Sequence, residues 1–319
     1  MKKNFWKKLK KPFFVMAPMA DVTDFAFRQM FAKYGAPDVF YTEFVSADGL
    51  ASEEGRKFLS KELRFSENER PIVAQIFGAH PENIKIAAKL VADLGFDGLD
   101  INMGCPDKAV IKQGAGAALI RTPELAREVI RAAKEGAPNI PVSVKTRIGF
   151  NKIETEQWIS QIVAEKPDCL IVHGRTKKEM SEVDAHWDEI AKAAEIAREA
   201  GITVVGNGDL KSLEEGIGKA EQFGLDGIMV GRGIFGKPWF FNREQKEISL
   251  EKRLEIMLEH TELFEKEMVG VKGFHVMKKH YKAYVSGFSG AKELRVKLME
   301  AESASEVRNI VKEYLSEIQ

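Results

Sequence analysis

Residues 98–106 read Gly-Leu-Asp-Ile-Asn-Met-Gly-Cys-Pro. A short, mostly apolar run ends at Asn102 and breaks into a turn built on glycine and proline. The same phrase recurs along the first three quarters of the chain. Strand candidates fall at Phe13–Ala17, Val39–Val45, Ile72–Phe77, Gly98–Asn102, Val142–Lys145, Cys169–His173, Ile202–Gly206 and Gly227–Gly231. Most are continuously apolar rather than alternating, as parallel strands buried on both faces are. Amphipathic segments separate them. Thr122-Pro123-Glu124 sets an N-cap before a proline at the first helical position, and Ser212 with Glu215 has capping-box spacing. Eight strands alternating with helices predict an α/β fold, a (β/α)8 TIM barrel. A doubly wound open sheet usually has fewer strands.

After Lys237-Pro238 the strand signal stops. Leu250, Leu254, Met257 and Leu258 lie at helical spacing, as do Val307, Ile310, Val311 and Leu315 behind a Ser303/Glu306 capping box. The expected division is a catalytic barrel over residues 1–245 and a helical domain over 246–319. No internal repeat beyond the βα unit and no low-complexity linker interrupts it.

The 319 residues balance 48 Lys+Arg against 48 Asp+Glu, so no global basicity announces a nucleic-acid partner. Two cysteines, Cys105 and Cys169, are too few for a disulfide framework and suit a reducing cytosol. No CxxC or HExxH spacing occurs, and no metal site is expected. The first twelve residues hold six lysines ahead of the apolar Phe13–Met19, but that run is short, contains Pro18 and leads into Asp21. It is not read as a signal peptide, and no stretch reaches the roughly 20 apolar residues of a membrane span. The expected location is the cytoplasm.

Unusual residues cluster just after the strands. Pro18-Met19-Ala20 follows the first and Gln75 ends the third. Asn102 to Pro106 follows the fourth, and Lys145 with Arg147 closes the fifth. His173-Gly174-Arg175 closes the sixth, Gly206-Asn207-Gly208-Asp209 the seventh, and Gly231-Arg232-Gly233 the eighth. In a barrel these ends form one rim, where such enzymes keep their active sites. Glycines after strands 7 and 8 let backbone N–H groups close around a phosphate, or simply make tight turns. Gly231, Gly233 and Gly236 spell GxGxxG, but no further βαβ unit follows, so a monophosphate fits better than a dinucleotide.

Lys145 ends an apolar strand, where burial is costly without a partner. It is a Schiff-base lysine, a cation facing negative charge on a cofactor, or a lysine reaching out to solvent. Arg147 pairs with an anion or is solvated. Cys105 sits in a loop, where an exposed thiol is plausible, whereas Cys169 reads as a small core residue. His173 suits function or a satisfied core histidine equally, and Gly174-Arg175 tips it toward function.

Together, MAPMADVTDFAFR (Met16 to Arg28), DINMGCP (Asp100 to Pro106), VKTRIGF, VHGRT, GNGD and VGRGIFGKPWFF resemble the tRNA-dihydrouridine synthase family, and KKHYKAY (Lys278 to Tyr284) continues the resemblance into the tail. The resemblance implies an oxidoreductase that binds flavin mononucleotide (FMN), is recharged by NADPH, and reduces the carbon 5–carbon 6 double bond of selected tRNA uridines. It implies that Pro18, Met19 and Ala20 lie along the flavin and that Gln75 hydrogen-bonds its ring. Lys145 would stabilise the reduced flavin's negative charge. Asn207, Gly208 and Asp209, with Gly231 and Arg232, would hold the phosphate end, and His173 would line the site with Arg175 beside it. Asn102 would address the uracil edge and Cys105 would act as general acid. A thiol with an ordinary pKa of about 8.5 is mostly protonated near neutrality and suits that role.

A uridine in folded tRNA must be extracted before it can stack on a flavin, which needs affinity beyond the base. Residues 271–297 carry seven Lys/Arg against one acidic residue, Glu293, interleaved with Tyr281, Tyr284 and Phe288. This reads as an RNA-contacting face, with Lys278, Lys279 and His280 as substrate contacts and Arg147 and Arg175 near the base. The plainer reading is a solvated helix face above core aromatics. Relatives commonly show Arg-Lys-His where this chain has Lys278-Lys279-His280, and a second lysine where it has Ala109. The expected partner is tRNA, bound by a monomer. Two other functions compete: a flavin barrel oxidoreductase acting on a free pyrimidine or small enone, and a non-catalytic RNA-binding protein on a barrel scaffold.

Overall fold

In a computed structural model, residues 4–244 and 248–318 are described, the side chain of Ile318 excepted. Lys2 and Lys3 of the basic N-terminal run, and the expected boundary between residues 245 and 246, lie outside them. By contacts the chain forms two compact units, one of residues 1–20 and 37–231, the other of 21–36 and 232–319.

The first unit holds eight parallel strands: β1 (Phe13–Met16), β2 (Phe40–Ser46), β3 (Ile72–Phe77), β4 (Gly98–Met103), β5 (Val142–Arg147), β6 (Cys169–His173), β7 (Thr203–Asn207) and β8 (Gly227–Val230). Their order is β1-β8-β7-β6-β5-β4-β3-β2. The sheet curls until its two ends meet: Val15 bridges Val39 in parallel, and Met16 N donates to Val39 O at 3.0 Å. The chain thus has the (β/α)8 architecture expected from its rhythm.

Alternate residues Phe13 and Val15 of β1, Ala17 just after it, Tyr41, Val73, Cys169, Ile171, Val205 and Met229 join Trp6 in one buried cluster, the barrel interior. The intervening positions, among them Phe14, Leu99, Val142 and Val144, are buried as well, which is why the runs read as continuously apolar. Cys169 is fully buried in this interior, as a small core residue.

Two of the three helix starts expected from the sequence carry their side-chain cap. Ser212 Oγ accepts from Glu215 N at 3.2 Å and Ser303 Oγ from Glu306 N at 3.3 Å. Thr122 makes no side-chain cap, and the helix Pro123–Gly136 begins on proline alone. Among the described residues no helix is long and apolar enough to cross a membrane.

The second unit gathers the helices Leu250–Met268, Lys278–Tyr284, Ala291–Glu300 and Ala304–Ile318 with Phe25–Tyr34, which follows the first strand in sequence. Ala26 and Met30 of that early helix share a core with Leu254, Met257, Phe264, Leu294, Leu298 and Val307. Lys33 Nζ and Tyr34 OH both reach Glu259, each at 2.6 Å. Gly236 has a positive φ of +67°, and a Cβ there would stand 2.6 Å from the Ala283 carbonyl carbon. The third glycine of GxGxxG therefore serves close packing within this unit.

His260 and His280 lie fully buried in the same core, their rings 4.9 Å apart, with Phe27 and Phe235 flanking His280. Among the described residues, His260 Nε2 and both ring nitrogens of His280 have no hydrogen-bond partner. Burial holds His260 down to about 3 and pushes His280 well below its ordinary value. A base with a depressed folded pKa contributes its full stability above the unfolded value of about 6.5 and loses it as pH falls toward the folded value. The thermal midpoint is expected to drop between pH 6.5 and 4.5, and His280→Phe to reduce that drop. Parallel curves for the two proteins would contradict this account.

Candidate active site

Strand periodicity places the site. Two residues beyond the interior positions Val73, Ile171, Val205 and Met229 come Gln75, His173, Asn207 and Gly231, and the same alternation carries Asp100, Asn102, Ser143 and Lys145. Register then sets neighbours: Gln75 pairs with Asp100, Asp100 with Ser143, Asn102 with Lys145, and His173 with Asn207. Polar groups from five consecutive strands meet at one end of the barrel.

Asp100, to which sequence reasoning assigned no role, organises them. It is fully buried, and its carboxylate accepts from Ser143 Oγ at 2.5 Å, Gln75 Nε2 at 2.7 Å and Tyr41 OH at 3.4 Å. Gln75 Oε1 accepts from Asn102 Nδ2 at 2.9 Å. Asn102 Oδ1 accepts from the N–H groups of Gly104 (3.1 Å) and Cys105 (2.8 Å). With both oxygen sites committed, Asn102 has only an N–H left to offer a ligand. The signal for Asp100 was present: an acid inside an otherwise apolar strand, two residues before Asn102. Burial raises its pKa to about 6 against the pull of its hydrogen bonds and of Lys145.

The loop after β4 is held from several sides. Arg147 Nε donates to Gly104 O at 2.7 Å, and its Nη1 to Thr176 O at 3.1 Å and Met180 O at 3.3 Å. Burial lowers its pKa to about 10. The guanidinium expected near the base is thus buried, with its Nε and Nη1 committed to backbone carbonyls. Ala117 N donates to Cys105 O at 3.0 Å, and a Cβ on Gly116 (φ +60°) would come within 2.9 Å of that oxygen. Cys105 itself is half-buried, and burial raises its thiol above the usual range. It is therefore protonated at neutral pH, as an acid must be and a nucleophile would not.

Lys145 is largely enclosed, and its ammonium makes no hydrogen bond or ion pair among the described residues. Burial, with repulsion from Arg147, brings its pKa down to about 8. An enclosed ammonium with open donor capacity is matched by an anionic or carbonyl-bearing ligand, which would restore its charge. This donor set fits a flavin ring.

Arg175 is buried, ion-paired to Asp209, and donates from Nε to Val183 O at 2.6 Å, with Nη1 3.3 Å from His173 Nε2. Asn207 uses Nδ2 on Met229 O at 2.9 Å. A Cβ on Gly208 would stand 2.8 Å from Trp187 Cζ2, and one on Gly206 3.0 Å from Cζ3 of the same ring, so packing alone requires both glycines. Gly231 is different, with nothing closer than Ala17 Cβ at 3.7 Å and Met19 Sδ at 3.8 Å. Pro18 is buried, Met19 half-buried and Ala20 exposed at the end of this unit. Arg232, exposed, belongs to the second unit.

In the second unit, Lys278 pairs with Glu302 at 2.5 Å and Lys279 with Asp21 at 3.6 Å. His280 is enclosed by aromatic rings, so its expected contact with RNA is corrected to a core position. Tyr281 and Tyr284 are also core residues. The helical period explains both: positions 277, 280, 281 and 284 face inward, while 278, 279 and 282 remain accessible. Here the plainer reading of the aromatics holds. Lys278, Lys279, Lys282, Lys292 and Arg295 nevertheless line one groove of about 450 Å³, beside the exposed Val296 and Met299.

A lysine at position 147 could serve only part of this set of carbonyls. Arg147→Lys is expected to remain folded and to accelerate alkylation of Cys105 severalfold. Mass spectrometry after iodoacetamide checks this, with buried Cys169 as internal control. Unchanged alkylation would mean that the loop does not depend on the guanidinium.

Residues 15–319 match the family described as dihydrouridine synthase (Dus). A probable tRNA-dihydrouridine synthase of Staphylococcus aureus is 41% identical over 320 residues, spanning 98% of this chain and 96% of its own. The probable tRNA-dihydrouridine synthase 2 of Bacillus subtilis is 42% identical over 320 residues, spanning 98% and 97%. Among solved structures, histamine dehydrogenase from Rhizobium aligns with a TM-score of 0.53 at 14% identity, over 83% of this chain and 50% of that one. Morphinone reductase in complex with tetrahydroNAD aligns with a TM-score of 0.50 at 11% identity, over 72% and 85%. These structures share the fold. The sequence match over nearly the whole length goes further: the chain belongs to the dihydrouridine synthase family.

Proposed function

We propose that this chain reduces the carbon 5–carbon 6 double bond of selected uridines in tRNA, with FMN on the barrel rim and NADPH as the source of electrons, acting as a cytoplasmic monomer. The observation that carries the reading is the half-buried thiol of Cys105, its loop tied by Asn102 to Gln75 and lying near the ammonium of Lys145, with burial favouring the protonated thiol. Residues 1–245 are assigned to cofactor and chemistry, and 246–319 to the RNA.

Pro18, Met19 and Ala20 would flank the flavin ring, Gln75 would hydrogen-bond it, and His173 would close one side. Asn207, Gly208, Asp209, Gly231 and Arg232 are assigned to the phosphate end. Ion pairing with Arg175 compensates the charge that Asp209 would otherwise bring there. Bound in this place, the flavin supplies hydride to the uracil. Lys145 balances negative charge at its electron-rich edge. Asn102, which has only donor capacity left, suits a uracil carbonyl and disfavours an exocyclic amine. Cys105 delivers its proton to carbon 5. Arg147 supports this step through the Gly104 carbonyl rather than by touching the base.

Cys105→Ala is expected to bind flavin and oxidise NADPH at near wild-type rates, yet to leave unmodified tRNA unchanged. Mass spectrometry detects the two added hydrogens on uridine. Loss of flavin by this variant would assign the cysteine a structural role instead.

The groove between the helices Lys278–Tyr284 and Ala291–Glu300 supports RNA binding, with its cations for phosphates and Val296 and Met299 for the face of a base or ribose. Lys282→Ala with Lys292→Ala is expected to weaken tRNA binding about tenfold at moderate salt. The slope of log affinity against log salt should become shallower by roughly one for each phosphate that a removed lysine neutralised. Affinity unchanged at every salt concentration would move the RNA-binding surface elsewhere.

A further inference from the structure

We propose that Asp100 is a positioning residue for the reaction: its carboxylate, buried beneath the rim, anchors a relay through Gln75 and Asn102 that holds the backbone of Cys105 in place. The links are on adjoining strands. Asp100 Oδ2 accepts from Gln75 Nε2 at 2.7 Å, Gln75 Oε1 from Asn102 Nδ2 at 2.9 Å, and Asn102 Oδ1 from Cys105 N at 2.8 Å. Each link fixes the next, because an ionised carboxylate only accepts. Gln75 must therefore turn its amide nitrogen inward and its oxygen toward Asn102. Asn102 must then turn its own nitrogen toward Gln75 and its oxygen toward the loop. The far end agrees, since Gly104 and Cys105 present only N–H groups there.

A carboxylate with no access to water is costly to keep unless its acceptors are filled. Here Ser143 and Tyr41 fill the side of Asp100 that faces away from Gln75. An asparagine at this position has the same size but can turn either its oxygen or its amide toward Gln75, and it lacks the charge that strengthens the bond. The amide pair then has two competing arrangements, and the loop carrying the thiol loses one of its anchors. Misplacement of a reacting group by about 1 Å is enough for large losses of rate.

The test reads the thiol directly and so does not depend on the proposed reaction. Iodoacetamide alkylation of Cys105 is followed in wild type, Asp100→Asn, Asn102→Ala and the double variant, with thermal midpoints recorded for each. Asp100→Asn is expected to alkylate at least about fivefold faster, and to add nothing once Asn102 is alanine. Such non-additivity marks action through a shared relay rather than general loosening. Wild-type alkylation in Asp100→Asn, or single effects that simply multiply, would overturn the proposal. Should Asn102→Ala fail to fold, Gln75→Ala replaces it in the cycle. Dihydrouridine formation by the same proteins should show a kcat about tenfold lower in Asp100→Asn, with KM for tRNA unchanged. A wild-type protein that forms no dihydrouridine would refute the proposed function, while the alkylation cycle would still decide the relay.

Discussion

A buried polar side chain that the upper barrel turns inward has to find its partner among the neighbouring strands, away from water. Leaving one such donor or acceptor unmatched costs about 1–3 kcal/mol. That constraint governs the rim. Tyr41, Gln75, Asp100, Asn102 and Ser143 come from four neighbouring strands and satisfy one another across the register of the sheet. The network is selective as well as stabilising. With much of its capacity used internally, few atoms remain for ligands, among them the second amide N–H of Gln75 and of Asn102, with the ammonium of Lys145 and the thiol of Cys105 nearby.

Charge is arranged in the same economical way. Asp100 and Lys145 are both enclosed, and burial pushes each toward its neutral form, to about 6 and about 8. Near pH 7 the acid therefore remains largely ionised and the base largely protonated, each helped by the other. Arg147 takes a different course. Its buried guanidinium is surrounded by backbone carbonyls and stiffens the cysteine loop. Arg175 is compensated by Asp209. Of the three cations expected at the rim of the barrel unit, Lys145 alone makes no hydrogen bond or ion pair among the described residues.

The two glycine loops show how one residue type serves unlike purposes. Gly206 and Gly208 make room for Trp187, and Gly236 for the backbone at Ala283 and Tyr284, whereas Gly231 leaves space. The sequence spells all of them alike. The basic tail teaches a related lesson: its lysines face outward because its tyrosines and His280 face inward, two halves of one helical period.

The sequence by itself determined the barrel, because eight apolar runs of strand length, each ending in polar or glycine residues, have few other ways to be buried. It also singled out the strand ends where polar groups gather, since Gln75, Asn102, Cys105, Lys145 and His173 are odd residues at or just past the ends of apolar runs. Tertiary structure alone decided which of these remain available. Whether an arginine meets a ligand or a carbonyl depends on atoms distant in sequence, as Arg147 and Thr176 are. The same holds for Asp100, whose importance lies in hydrogen bonds to residues 25 and 43 positions away. It holds too for the helix Phe25–Tyr34, whose place with the C-terminal helices rests on a core shared with residues more than 200 positions further along. Local pattern records what a segment must bury, and only the folded chain supplies the partner it is buried against.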